Sequence, residues 1–436
     1  MFNWLPVWFT KYYYGGNSSR GDHIEGSDYY ADTMYGYGGN DTFYSSLGAD
    51  TFYGGSGIDT VNYANSTGPV KVDLSNGKGS NTFMDPDGIS DSVGDRYHSI
   101  ENIRGSDFND SIFGSSVNNV LKGGGGHDWI HGGAGNDKVD GGSGNDIIFG
   151  GSGNDNLYGS LGNDRFFIEE GRDNHYGGTG HDEIIVSDQN DILIDLETGR
   201  GFGGEAEGDT YSSIDEIIIG HRAGEITVVG SSRQETFRVK EEATGPVQIE
   251  AGNGQDLVTI KLSDTQDFVE NDGSFFDGGS LGGDDFLEIV TDLNLEIDLE
   301  EREFFQQGDS DNNVRIQGFE GVTAGSGDDI LIDRADTDNK FRGGSGSDTF
   351  VFDHNGNRTT EHDGIFDFEF GLDKIDLDNT EINNWNDLLG ESDGDYMIDM
   401  NGGVLIRTAE NDNGQYDTIF LESVTVSELS ENDFIF

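Results

Sequence analysis

The chain has 436 residues, with 85 Asp and Glu against 24 Lys and Arg, a formal net charge of −61, 69 glycines and no cysteine. That balance argues against nucleic acid and against direct adhesion to anionic lipid, and no apolar run approaches the length of a membrane span. Hydrophobic content of 33 % at this charge predicts disorder unless a ligand neutralises the self-repulsion. With no disulfide to staple the fold, a metal is the candidate, and the metal-free chain is expected to be largely unfolded, at least in its repeats.

Residues 1–35 read as an N-terminal cap, in which Trp4, Leu5, Val7, Trp8 and Phe9 cover the open end of a solenoid, or as a short disordered leader. The start, MFNWLPVWFTKYYYGG, lacks the basic leader, long apolar core and small-residue cleavage site of a secretory signal peptide. Residues 36–62 hold three units of nine residues, GYGGNDTFY, SSLGADTFY and GGSGIDTVN, with carboxylates at Asp41, Asp50 and Asp59 and apolar side chains at Phe43, Phe52 and Val61. Residues 63–104 break this period and read as a metal-free β insertion, VKVDLSNGKG followed by GDRYHSIENIRG. The same pattern returns at ILIDLETGRG (192–201) with GDTYSSIDEIIIG (208–220), and more weakly at LEIDLEEREF (295–304) with RIQGFEGVTAG (315–325), which aligns Asp73, Asp195 and Asp298.

Residues 105–185 are nine consecutive nonapeptides with the consensus G-G-x-G-x-D-x-U-x, where U is a large apolar residue. The glycine half predicts a tight turn ending in a carboxylate, and x-U-x predicts a very short strand with one inward side chain. Two units make one coil, so units n and n+2 stack on the same edge, with parallel strands about 4.8 Å apart. One edge then carries Asp110, Asp128, Asp146, Asp164 and Asp182, and the other Asn119, Asp137, Asp155 and Asp173. Like charges at that spacing repel by several kcal/mol per pair unless a cation sits between them. Oxygen-only ligands of flexible geometry suit Ca²⁺ rather than Mg²⁺ or Zn²⁺. A flexible linker would have no reason to keep Ile130, Val139, Ile148, Leu157 and Phe166 nine residues apart.

Beyond residue 185 the repeats decay. Residues 186–250 read as an irregular β-solenoid segment, and 251–351 as degenerate coils. Within the latter, AGNGQDLVT, GSLGGDDFL, AGSGDDILI and GGSGSDTFV offer Asp256, Asp284, Asp329 and Asp348 as further metal-site carboxylates.

The nonapeptide resembles that of the RTX, or hemolysin-type, calcium-binding proteins. DTFVF (349–353), IFDFEFGLDKIDL (365–377) and DTIFLESVTVSELSENDFIF (417–436) make residues 352–436 similar to the C-terminal region of serralysin-type RTX proteins. The resemblance implies multiple Ca²⁺ ions and an uncleaved type I secretion signal at Asp433, Phe434, Ile435 and Phe436. It also implies export in an unfolded state through the type I secretion apparatus, and folding outside the cell. Asp367, Asp373 and Asp376 are candidates for one more ion.

Three motifs invite other chemistry and lack its context. HDWIH (127–131) has zinc-protease spacing, but on a turn and a short strand rather than a helix. GGSLG (278–282) precedes Asp284 and Asp285 rather than a helix, and GRGFGG (199–204) lies in no βαβ unit. Because the repeats begin within the first 40 residues, no separate catalytic module is expected ahead of them.

The expected fold is all-β: a right-handed parallel β-roll or β-helix solenoid with calcium-binding turns and a C-terminal β-rich cap. The expected function is a non-enzymatic, secreted, extracellular calcium-binding protein with a structural, adhesive or matrix role, and cell-surface or extracellular polysaccharide as a candidate partner. Two alternatives stand beside it. One is a polysaccharide-active enzyme or carbohydrate-binding module, whose groove would fall in 186–342 with Arg200, Arg222, Arg233, Arg238 and Lys240 facing uronates. The other is a toxin-like or membrane-active protein.

Overall fold

The computed structural model describes residues 11–16, 20–27, 30–80, 91–187, 190–220, 224–240, 245–262, 274–279, 284–307, 314–335, 337–352, 360–378, 380, 382–389, 396–410 and 415–436. The apolar N-terminal residues Trp4 to Phe9, and Arg222, lie outside the described residues. The chain forms two compact units, residues 1–188 with 192–217, and residues 189–191 with 218–436.

In the first unit, alternate nonapeptides supply strands to two parallel sheets. Ser111–Ser115, Trp129–Ala134, Ile147–Ser152, Arg165–Phe167 and Glu183–Val186 pair in one. Asn102–Arg104, Val120–Gly125, Lys138–Ser143, Asn156–Leu161 and Asn174–Thr179 pair in the other. Trp129–Ala134, Lys138–Ser143 and Ile147–Ser152 continue from x-U-x into the next two glycines, which is why they run to six residues where three were expected, whereas Arg165–Phe167 stops at three. The U residues align: Ile112, Ile130, Ile148, Phe166 and Ile184 across one sheet, and Leu121, Val139, Leu157 and His175 across the other, all fully buried. The sheets meet through these side chains, edge-on between Phe43 and Phe52 (5.7 Å) and between Phe166 and His175 (5.8 Å). Burying one such side chain stabilises by roughly 1.5–3 kcal/mol, so the narrow core gains its strength from repetition.

The insertions are hairpins whose first strand joins the parallel stack and whose second returns antiparallel. Lys71–Asp73 pairs with Ser111–Ser115 and with Lys78–Ser80. Ile192–Asp195 pairs with Arg200–Phe202, and Leu295–Asp298 with Glu303–Gln306. The three aligned aspartates close the turns. Asp73, Asp195 and Asp298 each accept the N–H three residues on, from Asn76, Thr198 and Glu301 (3.2, 2.9 and 2.8 Å).

In the second unit, Ile226–Val229, Val247–Glu250, Phe275–Asp277 and Val314–Gln317 pair in parallel. Thr236–Val239, Leu257–Lys261, Phe286–Val290, Gly321–Thr323 and Lys340–Arg342 form a second parallel run. Near the C-terminus Met397–Met400, Gly403–Glu410 and Tyr416–Glu422 form an antiparallel meander. The final strand, Phe434–Ile435, pairs with Lys374–Asp376, and the Phe434 ring lies 5.6 Å from Trp385. The only α-helix among the described residues is the single turn Trp385–Leu388. No helix among them is long and apolar enough to cross a membrane.

Candidate metal centre

The aspartate of each nonapeptide points inward from the turn, and the stacked aspartates form two hydrogen-bonded ladders. On one edge the N–H groups of Asp110, Asp128, Asp146 and Asp164 donate to Oδ1 of Asp128, Asp146, Asp164 and Asp182, each 18 residues on, at 2.7–2.9 Å. On the other edge Asn119, Asp137 and Asp155 donate in the same way to Asp137, Asp155 and Asp173. In the N-terminal block Asp32 donates to Asp50, and Asp41 to Asp59. All of these side chains are buried.

One oxygen of each carboxylate is therefore spoken for, and the fate of the other divides the repeats into two kinds. Oδ2 of Asp41, Asp59, Asp128, Asp137, Asp146, Asp155, Asp164 and Asp182 is buried with no hydrogen-bond partner. In all eight the residue four positions earlier has positive φ, as at Gly124 (118°) and Gly142 (110°). Two of the eight are not glycine: Ser160 (82°) precedes Asp164, and Tyr37 (68°) precedes Asp41. Where that position is a serine at ordinary φ, it turns back onto the carboxylate or amide instead. The Ser106 N–H reaches Asp110 Oδ2 at 2.6 Å and its hydroxyl reaches Oδ1 at 2.8 Å, and the Ser115 N–H reaches Asn119 Oδ1 at 2.7 Å. The Ser46 hydroxyl lies 3.4 Å from Asp50 Oδ2.

A buried carboxylate oxygen without a donor costs several kcal/mol, a cost that a cation in these eight turns would offset. Their shape fits one. A Cβ placed on Gly123 would collide with Asp128 Oδ2 and with the Gly141 carbonyl oxygen of the next coil, and one on Gly132 with Asp137 Oδ2 and the Gly150 carbonyl. Glycine thus keeps open a cradle lined by carboxylate and carbonyl oxygen alone, a donor set that suits Ca²⁺.

Burial dominates the electrostatics, and neighbouring aspartates add to it. Burial pushes the carboxyl of Asp128 up to about 9, Asp173 to about 8, and Asp137 and Asp164 to about 7. The folded turns therefore resist holding negative charge without a counter-ion.

The ladders extend through residues that the nonapeptide does not reveal. Asp95 accepts from the Asp50 N–H at 2.7 Å, Glu101 from Asp59 at 2.8 Å and Asp209 from Asp173 at 2.8 Å. The insertions, read from the sequence as metal-free, thus each return a carboxylate to the column. In the second unit Glu235 donates to Asp256, Asp256 to Asp285, and Asp285 to Glu320. Asp285, not Asp284, takes the ladder position, because the buried apolar residue is Leu287 rather than Phe286 and the unit is shifted by one residue. Asp284 is half exposed and paired with Lys340. Asp329 and Asp348 continue a ladder to Asp373, and the second oxygen of Asp329 is buried without a hydrogen-bond partner. Asp256 Oδ2 accepts from the Gly254 N–H at 3.2 Å.

Of the three C-terminal candidates, Asp367 accepts from the N–H groups of Gly343 and Gly344 and Asp373 from Glu369, whereas Asp376 only caps Asp378. Asp433 is buried and accepts the Gly371 N–H at 3.1 Å. Asp333, Glu361 and Asp363, which sequence reading did not group, bring three carboxylate oxygens within 4.8 Å of one another. In HDWIH, His127 belongs to a ladder of its own at the preceding position: it donates its N–H to Asn109 and accepts from Asn145 on Nδ1, both at 2.7 Å. His131 stacks between Phe113 and Phe149 on the sheet surface.

Comparison with known families agrees with this geometry. The RTX calcium-binding nonapeptide repeat family matches residues 22–61, 104–139, 113–148, 140–174 and 167–194. The Peptidase M10 serralysin C terminal family matches residues 272–436. No curated protein matches the chain. Both kinds of region are typical of extracellular proteins exported by type I secretion, and the RTX repeats imply calcium binding. The chain carries RTX calcium-binding nonapeptide repeats together with a Peptidase M10 serralysin C-terminal region.

Proposed function

We propose that this is a secreted, extracellular protein that folds on export by binding calcium and then serves a non-enzymatic structural or adhesive role. The observation that carries the reading is the row of buried Oδ2 atoms with no donor, each beside a glycine cradle. In our reading the ions are held by Asp41, Asp59, Asp128, Asp137, Asp146, Asp155, Asp164, Asp182 and Asp329 together with turn carbonyls. Asp50, Asp110, Asp173, Asp256 and Asp348 support the ladders or hold weaker sites, and Asp285 replaces Asp284. The ion supplies the charge that cancels the column's self-repulsion; the residues supply the cradle and the order of stacking.

The organisation we infer follows the chain: an N-terminal cap to residue 35, RTX blocks at 36–62 and 105–185, an insertion at 63–104, β-solenoid and degenerate coils at 186–351, and the serralysin-like region beyond. Inside the cell, at submicromolar calcium, the columns repel and the chain stays unfolded for the exporter to thread. Outside, at about millimolar calcium, extracellular-grade sites fill and the coils stack. The C-terminal Asp433 to Phe436, which pair and pack in the folded state, would be free for the exporter only in the unfolded one.

Native mass spectrometry of the intact chain tests the assignment. Wild type should retain calcium in a cooperative envelope, and Asp128→Asn, Asp146→Asn and Asp164→Asn together should lose several ions. An unchanged calcium count in the triple variant would remove the aspartate columns as the sites.

A further inference from the structure

The third insertion differs from the first two at one position. The turns that close the three hairpins superpose in their bonding: the carbonyls of Gly77, Gly199 and Arg302 accept from Tyr97, Tyr211 and Ile316 (3.0, 3.0 and 2.8 Å). Their φ angles are 67°, 66° and 65°. Two of these left-handed positions carry glycine, as the conformation asks. The third carries an arginine, which adopts it only at a cost. Strain of this kind, where the same chain shows the unstrained solution twice, points to a use for the side chain.

The hairpin sets that side chain in a polar cavity of about 510 Å³ on the second unit, which Arg334 also lines. Strand Glu303–Gln306 pairs with Val314–Gln317, and Leu295–Asp298 pairs with Ile330–Ile332, so the insertion brings Arg302 and Arg334 to the same end of neighbouring strands. Glu250, Asp277 and Gln317 form a row in register across three parallel strands along the same cavity. Arg334 is anchored by its backbone: its N–H donates to Asn339 Oδ1 at 2.9 Å, and its carbonyl accepts from the Thr337 hydroxyl at 2.7 Å.

Neither guanidinium is bonded to another described residue. Other cations of this acidic chain are engaged: Arg165 with Glu183, Lys340 with Asp284, Arg315 over Phe275 and Arg342 over Phe366. Two forked donors facing one cavity fit a planar carboxylate. Beside them Asp277 accepts from the Gln317 amide and the Gly279 N–H, which leaves Glu250, Gln317 Oε1 and the spare lone pairs of Asp277 to meet hydroxyl groups, and the carboxylates disfavour a doubly charged phosphate.

We propose that this cavity binds the carboxylate of an acidic sugar, with Arg302 and Arg334 gripping the carboxylate and Glu250, Asp277 and Gln317 bonding ring hydroxyls. The ligand class is a uronic acid residue of a polysaccharide chain. This gives the interaction role proposed above a partner and rests on the chain being folded, but the two claims fail separately.

The test is isothermal titration of the intact chain in excess calcium at fixed ionic strength, with trigalacturonate as probe and neutral galactotriose and inorganic phosphate as controls. Trigalacturonate should bind and the controls should not. Arg334→Gln should weaken binding at least tenfold. Arg302→Gly should weaken it as much while raising the melting temperature, since it restores the residue found at Gly77 and Gly199. A wild-type chain that folds on calcium but binds no uronide, binds phosphate equally well, or binds uronide undiminished in both variants overturns the proposal. Uronide binding that is the same with and without calcium keeps the cavity and overturns the calcium-folded reading.

Discussion

The N–H of Asp128 donates to Asp146 Oδ1 at 2.8 Å, while Asp146 Oδ2, equally buried, meets no donor at all. One atom of the carboxylate fixes the stacking of two coils, and we propose that the other holds a cation. On that proposal structure and metal dependence share a single side chain, and substitution can separate them.

Asp146→Asn keeps the accepting oxygen and removes the charge, so the ladder survives and the ion is lost. We expect the calcium midpoint of folding to rise, with melting temperature at saturating calcium reduced modestly. Asp146→Ala also leaves the Asp128 N–H unpaired in a buried site, a further cost of about 1–3 kcal/mol. Thermal melts of both variants against calcium concentration check this; identical behaviour of the two would contradict a separate role for Oδ1.

Ser106 marks a turn whose carboxylate is satisfied by protein. Ser106→Gly removes the hydroxyl bond to Asp110 and allows positive φ, which makes the turn like those at Gly124 and Gly142. The variant should be less stable at low calcium and gain one bound ion at high calcium, read by native mass spectrometry. An unchanged ion count would show that the serine does not decide the matter.

Ser160 holds the left-handed conformation at φ 82°. Ser160→Gly relieves that strain but gives up the hydroxyl's bond to Asp140 Oδ1 (2.9 Å), so the stability of the calcium-loaded state should change by less than about 1 kcal/mol. A calcium-saturated chemical melt measures it. In the core, Ile148→Ala should cost about 2–5 kcal/mol with calcium present, since Ile148 is fully buried between neighbours in register.

The pH dependence reverses with metal. Unfolded aspartates titrate near 4, whereas burial raises Asp128 to about 9, Asp173 to about 8 and Asp137 to about 7 in the folded, metal-free turns. The folded state then holds more protons than the unfolded one across that window. Metal-free stability is therefore greatest below the unfolded value and is lost as pH rises through the folded values. Calcium-stripped protein in metal-free buffer should show more β structure at about pH 5.5 than at about pH 8.5, by circular dichroism. With limiting calcium the order inverts, because protons compete for the same oxygens.

Much of this was legible in the sequence because one physical unit is repeated. The nine-residue period fixed Ile130, Val139, Ile148 and Leu157 as core and placed the aspartates in two columns. The period could not show that Asp95, Glu101 and Asp209 rejoin those columns, since hairpins of varying length separate them from Asp50, Asp59 and Asp173. At GSLGGDDFL two adjacent acids and two adjacent apolar residues made a slip of one residue invisible, and packing of Leu287 chose Asp285. In the first unit, which carboxylates lack a donor follows one φ angle; in the second it does not, since Gly252 has positive φ four residues before Asp256, whose Oδ2 has a donor, while Asp329 Oδ2 has none although Gly325 lacks positive φ. Glycine or serine announces that angle at most positions, but Tyr37 and Ser160 adopt positive φ against their own preference, and only coordinates reveal it.

The central claim is that unsatisfied carboxylates make folding depend on calcium. A far-UV circular dichroism titration of the chelated intact chain with calcium, and separately with magnesium, tests it most directly. The account predicts a cooperative gain of β signal with calcium and little with magnesium at the same concentration. A chain equally folded in chelator, or folded equally well by magnesium, would contradict it.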